Sequence, residues 1–133
     1  MILYKKTWRR ECFKILSGKY NIGIIANQVL GSEKRLEQYG LMKYIDLVVA
    51  SQEEGFSKPD KRIFEIALNR SKCKAENSIM IGDRIDNDIV PANLLGMKTI
   101  WIRQDFGRYW NIEKENEKPN YTVNNLIELC NIL

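Results

Sequence analysis

An α/β fold built on an open parallel sheet is what this sequence predicts, and three observations lead there. Ile22-Gly-Ile-Ile-Ala26, Asp46-Leu-Val-Val-Ala50, Ser78-Ile-Met-Ile81 and Lys98-Thr-Ile-Trp-Ile102 are short runs of strand length, apolar on successive residues. That is the pattern of strands buried on both faces. Segments with helical apolar spacing lie between them, and strands alternating with helices at this interval make βαβ units. Polar residues gather just after the runs: Asn27, Ser51, Asp83 and Arg103, with Lys58 in a loop beyond the second. Ligands of open parallel sheets bind outside the carboxyl ends of the strands, so these residues form the expected rim.

Taken in order, residues 4–17 read as a helix with Trp8, Cys12, Phe13, Ile15 and Leu16 as its apolar stripe and Gly18 as a left-handed cap. The first strand ends at Asn27. A second helix runs from about Ser32, a plausible N-cap, to Tyr39, with Gly40 as its stop. After the second strand the polar stretch Ser51 to Pro59 reads as a loop, and Asp60 opens a helix whose apolar face is Ile63, Phe64, Ala67 and Leu68. Asp88 is expected to cap the helix after the third strand, because Pro91 then falls in the first turn, where its missing N–H is no loss. Gly96 closes that helix ahead of the fourth strand. Residues 103–119 are polar and irregular. A short strand around Tyr121 to Val123 and a helix with Leu126, Ile127, Leu129 and Ile132 finish the chain, which reads as one domain over residues 1–133.

Composition narrows the chemistry. The chain has 133 residues, 44% hydrophobic and 29% charged, ordinary for a globular protein. No apolar run approaches the roughly 18 to 20 residues of a membrane span, and no signal-peptide pattern is seen, so a cytoplasmic protein without a membrane partner is expected. Cys12, Cys73 and Cys130 are odd in number and widely spaced. That is the usage of a reducing compartment, with thiols rather than disulfides. Histidine is absent. Ser-His-Asp and Cys-His nucleophilic sites, histidine-bound zinc and imidazole acid–base chemistry are thereby excluded. The net charge of +4, with Lys5, Lys6, Arg9 and Arg10 close together, reads as the solvated face of the first helix. No nucleic-acid-binding signature accompanies it.

Carboxylates, lysines and oxygen-ligated metal remain. In Ile81-Gly-Asp83-Arg-Ile-Asp86-Asn-Asp88 three carboxylates fall between the end of a buried strand and the start of a helix. Such a cluster suits Mg²⁺, which takes one or two protein carboxylates and keeps several waters. Gly82 would let the backbone bend closely there. Alone, Asp88 is better explained as an N-cap and Asp83 as a turn residue; the combination favours metal. Lys58 before Pro59 would ordinarily be a surface turn, but beside an acidic metal site it can neutralise a transferring phosphoryl group. Asn27 could donate its amide to the same oxygens, although asparagine and serine after strands (Ser51 included) are often local turn-formers.

Three segments, in this order and spacing, resemble the haloacid dehalogenase-like (HAD-like) hydrolases. Gly23-Ile-Ile-Ala-Asn27 is similar to the second motif of that superfamily, Lys58-Pro-Asp-Lys-Arg-Ile-Phe64 to the third and Ile81 through Asp88 to the fourth. The resemblance implies a Rossmann-like three-layer core. It implies that Lys58 steadies a nucleophile and phosphoryl oxygens, that Asn27 contributes to the phosphate site, that Asp83 ligates Mg²⁺ and that Asp88 completes the acidic cradle. The usual reaction in the family is hydrolysis of a phosphomonoester through an aspartyl-phosphate, so the expected substrate is a phosphorylated small molecule.

Two departures qualify the expectation. The hydroxyl residue at the end of the second motif is Ala26 here, and the first motif, a strand ending in DxDxT/V, has no counterpart. No aspartate precedes Ile22, and the one DxD, Asp86-Asn-Asp88, belongs to the fourth motif. The cap usually inserted after the first motif is likewise not found. In the family the first-motif strand lies between those of the second and fourth motifs. Without it, either these two pair directly or a gap exposes backbone that invites another strand. The expected reading is a phosphatase-type hydrolase core, inactive or weak alone, completed by an N-terminal fragment or self-associating. The alternative is a non-catalytic phosphate- or metal-binding, or protein-interaction, module.

Overall fold

The computed structural model describes residues 10–27, 34, 37–38 and 40–133. The basic cluster's side chains, Trp8 and most of the segment read as a second helix lie outside these residues. Within them run α1 (Arg10–Ser17), β1 (Gly23–Ala26), β2 (Leu47–Ala50), α2 (Ser51–Glu54), α3 (Lys61–Ser71), β3 (Ile79–Gly82), α4 (Val90–Leu94), β4 (Lys98–Ile102), β5 (Tyr121–Val123) and α5 (Leu126–Ile132).

All strand pairings are parallel, but they form two sheets. β1 pairs with β2, placing Gly23 opposite Leu47 and Ala26 opposite Ala50. Separately, β3 pairs with β4 and β4 with β5, with Gly82 opposite Trp101 and Ile102 opposite Val123. Of the two outcomes left open by the sequence, direct pairing of β1 with β3 or a gap, the fold adopts the gap. A cleft of about 320 Å³ opens there, lined among others by Ile22, Gly23, Asp46, Ser78, Ile79 and Ile81.

Helices on both faces hold the two sheets side by side. On one face Cys12, Phe13 and Leu16 of α1 and Leu129 of α5 pack on Ile24 and Ala26 from the first sheet and on Ile81, Ile100 and Ile102 from the second. On the other, Ile63, Phe64, Ala67 and Leu68 of α3 join Ala92 of α4 against Ile25, Val49 and Met80. Ile24 and Ile25 face opposite ways, as do Met80 and Ile81, because successive strand residues alternate. The α/β layering expected from the apolar runs, and the Rossmann-like arrangement that the resemblance implied, are present.

Several local expectations need correction. Ser51 to Glu54 form a helical turn rather than loop, ended by Gly55 at φ 80°. Arg70 of α3 clasps Glu54 through two hydrogen bonds, of 2.5 and 2.8 Å. Gly18 is not left-handed, whereas Gly40 and Gly96 are, at φ 70° and 83°. Ile15, Ile127 and Ile132 are exposed; the helices are short and each spends its buried stripe on fewer side chains than the spacing suggests. Asp60 does cap α3, accepting the Arg62 amide at 2.9 Å. Asp88 does not cap α4: it lies inside a wide π-type turn over Ile85–Ile89 that precedes that helix. Pro91 nonetheless sits in the first turn of α4, as expected. Cys12 and Cys130 are joined in a disulfide between α1 and α5, against the expectation of free thiols. Residues 118 apart in sequence carry no local sign that they meet.

The irregular stretch after β4 is tethered by polar side chains. Thr99, fully buried, donates its hydroxyl to Asn93 at 2.9 Å and its amide to Asn120 at 2.8 Å. The Asn93 amide in turn reaches the carbonyls of Asn116 and Lys118. Glu117 is buried and accepts the Trp110 indole at 2.8 Å.

Candidate active site

The carboxyl ends of β1, β2 and β3 bring Asn27, Lys58, Asp83 and Asp88 together. Lys58 leaves the loop after α2 and is only 7% exposed; Asp88 is 2% exposed. The Lys58 ammonium donates to Asp88 Oδ1 at 2.9 Å. Asp88 Oδ2 accepts the backbone N–H of Arg84 at 3.1 Å, so both carboxylate oxygens are engaged. Burial lowers the Lys58 pKa below its ordinary 10.5; Asp88, by charge and hydrogen bond, and then Asp83 oppose that fall, while Arg84 adds to it. Asp83 is thus within electrostatic reach of the ammonium. The reading of Lys58 as a surface turn is overturned by its burial and its partner.

Asn27 lies against the lysine loop. Its side-chain N–H donates to the Lys58 carbonyl at 2.9 Å, and its Oδ1 accepts the Lys58 amide at 2.8 Å. This two-point clasp ties the end of β1 to the backbone of the lysine loop, across a cis Lys58–Pro59 peptide. Asn27 therefore holds Lys58 in place. Ser51 begins α2. Arg103 is exposed and stacks over the Trp101 ring at 5.4 Å from its centroid.

Asp86 is clasped by the Arg84 guanidinium, at 2.6 and 3.1 Å. That pairing raises the Arg84 pKa further above its ordinary value. Gly82 matters for a more specific reason than flexibility: a Cβ there would collide with the Asp88 carboxylate and Cβ. The bare Cα is the surface on which Asp88 lies. This close approach, and the Asn27 clasp, were beyond sequence reasoning; the one available signal was the glycine directly before Asp83.

Among the described residues no group of three or more acidic, cysteine or histidine side chains is placed to hold a metal ion. Asp83, next to Asp88 whose two oxygens meet Lys58 and Arg84, suits an ion that takes one or two protein carboxylates and keeps water as its other ligands. The arrangement does not suit one that needs a closed protein cage.

With this geometry in view, the chain's kinship is clear. Residues 55–129 match the HAD-hydrolase-like family. Glyceraldehyde 3-phosphate phosphatase of Methanocaldococcus jannaschii is 39% identical over 75% of this chain and 42% of its own length. Pyrimidine 5'-nucleotidase YjjG of Escherichia coli is 34% identical over 89% of this chain and 52% of its own. Among solved structures, the magnesium-bound putative HAD-hydrolase YfnB of Bacillus subtilis superposes with a TM-score of 0.81 at 29% identity, over 92% of this chain and 53% of that one. The chain belongs to the HAD-like hydrolases. It spans about half the length of the curated relatives it matches.

Proposed function

We propose that these residues form the lysine- and metal-bearing half of a Mg²⁺-dependent phosphomonoester hydrolase acting on a phosphorylated small molecule. The observation that carries the reading is the buried Lys58–Asp88 pair, 2.9 Å long, with Asp83 close by at the carboxyl edge of the sheet. A cation held in a water-poor site stabilises the charge that spreads over phosphoryl oxygens during transfer. In this reading Lys58 meets those oxygens and Asn27 fixes its backbone. Asp83 holds the metal, and Asp88 keeps Lys58 charged and aimed. The magnesium ion would supply charge neutralisation for the phosphoryl group when bound. Phosphatases among the relatives support the reaction class.

The nucleophile is not among these residues. A carboxylate at the end of a strand seated between β1 and β3 would complete the site, and a polypeptide segment outside this chain is the proposed source. The chain by itself then hydrolyses phosphomonoesters weakly or not at all, since a covalent mechanism without its nucleophile loses most of its rate. The decisive experiment mixes this chain with an N-terminal fragment whose strand ends in DxD and assays p-nitrophenyl phosphate with and without Mg²⁺. Magnesium-dependent turnover that disappears in Asp83→Asn is expected. No turnover at any ratio of the two would remove the enzymatic reading.

The split sheet also favours a second reading: a non-catalytic module that binds phosphate or metal and docks a partner strand in the cleft. Tight association with the fragment, without hydrolysis, would select it. For location the composition points to the cytoplasm, while the Cys12–Cys130 disulfide pulls the other way. Alkylation of the native protein before denaturation counts the thiols and decides between them. Among the described residues no helix is long and apolar enough to cross a membrane.

A further inference from the structure

We propose that Trp101 and Gly107 are positioning residues for Asp83, acting through the single peptide group that joins Asp83 to Arg84; the inference rests on the reading of Asp83 as the magnesium ligand. That peptide is held at both ends. Its carbonyl accepts the Trp101 indole N–H at 3.1 Å, and its N–H donates to Asp88 Oδ2 at 3.1 Å. A peptide plane pinned on both sides leaves the adjoining Cα, which bears the Asp83 carboxylate, little freedom to swing.

Each part of the clamp follows from the fold. Trp101 lies opposite Gly82 in the parallel pairing of β3 with β4, one residue from Asp83. Trp101 is 4% exposed and packs with Ile85 and Ile89 of the turn that carries the acidic cluster. Gly107, in the 3-10 turn over Asp105–Tyr109, closes the other side: a Cβ there would run into the Asp83 carbonyl oxygen and stand 3.1 Å from its carbon. A carbonyl held by an indole donor, with a side-chain-free residue against it, has one place to be. Outer partners that orient a metal's ligand typically change affinity by about 10- to 100-fold when removed.

The test is a Mg²⁺ titration of the full chain followed by NMR, reading the backbone amides of Asp83 and Arg84 and the indole N–H of each tryptophan. Saturable shifts at Asp83 that are abolished in Asp83→Asn establish the ligand; shifts that persist in Asp83→Asn overturn that reading and this inference with it. Given the ligand, Trp101→Phe keeps a ring in the core and removes the donor, and roughly tenfold or greater loss of Mg²⁺ affinity is expected. Gly107→Ala is a second route to the same carbonyl, with a loss in the same direction. In the unaltered protein the Trp101 indole resonance should move with the same midpoint as the Asp83 amide. The Trp110 indole, bonded to Glu117, should stay still. Unchanged affinity in both folded variants, or a Trp101 indole indifferent to Mg²⁺, would overturn the positioning role and leave Asp83 as the ligand.

Discussion

At Lys58, burial and pairing act in opposite directions on one ammonium. Burial lowers its pKa, and Asp88 and then Asp83 pull it back. Removing either member strands the other in a site with almost no water, which typically costs about 3 to 5 kcal/mol, while replacing both by apolar groups of similar size is often close to neutral. Urea unfolding should therefore show Lys58→Met destabilised by about that amount, and Lys58→Met/Asp88→Leu recovering most of it. A double variant as unstable as the single one would mean that the pair is not coupled. Asp60 shows the contrasting exposed case. The Arg62 side chain and amide, hydrogen-bonded to it, hold its pKa down at about 2 against an ordinary 3.8. A depressed carboxylate contributes stability above the unfolded value and loses it as pH falls toward the folded one. Acid unfolding curves between pH 3.8 and about 2 should be shallower for Asp60→Ala, and the difference should shrink in high salt because the pair is exposed.

Elements here are short and depend on a few contacts. The turn from β3 into α4 is set by Gly82, whose missing side chain gives Asp88 its resting surface. Gly82→Ala should cost about 1 to 3 kcal/mol as an overpacking change, measured by chemical denaturation. It should also weaken Mg²⁺ binding, since the displaced Asp88 also holds the Arg84 amide. α1 and α5 are stapled by the Cys12–Cys130 bond, which closes a separation of 118 residues. Chain-entropy arguments put such a closure at roughly 2 to 5 kcal/mol. Reduction, or Cys12→Ser, should lower the thermal midpoint, and reductant should have no further effect on the Cys12→Ser protein. The sequence marked these two helices correctly as apolar on one side, yet Ile15, Ile127 and Ile132 face solvent. Periodicity says which residues could share a face, and the neighbours across the interface decide how wide that face is.

For the molecule as a whole the decisive feature is the interrupted sheet. β1 and β3 stand on either side of a cleft that both helical layers span. Parallel edges with paired backbone on one side only are templates for another strand. Self-association through these edges is one outcome, and light scattering across a range of concentrations would detect it. Addition of the DxD-bearing fragment should return the protein to a one-to-one complex. A chain that stays monomeric and ignores the fragment would indicate that the cleft is not a strand site.

Much of this was written in the chain itself. Apolar runs on successive residues announced buried parallel strands, because burial on both faces is written into neighbouring residues; the motifs singled out Lys58 and the Asp83–Asp88 turn as candidates, but their meeting across 30 residues of chain was not local. What the sequence could not determine was set by contacts across long stretches of chain. Asn27 clasping Lys58 from 31 residues away, the Trp101 indole reaching Asp83 and the Cys12–Cys130 bond each join groups whose proximity exists only after the layers have packed. The choice between a closed and an open sheet belongs with them: strand propensity is local, but the spacing between two strands is decided by the helices that cover them.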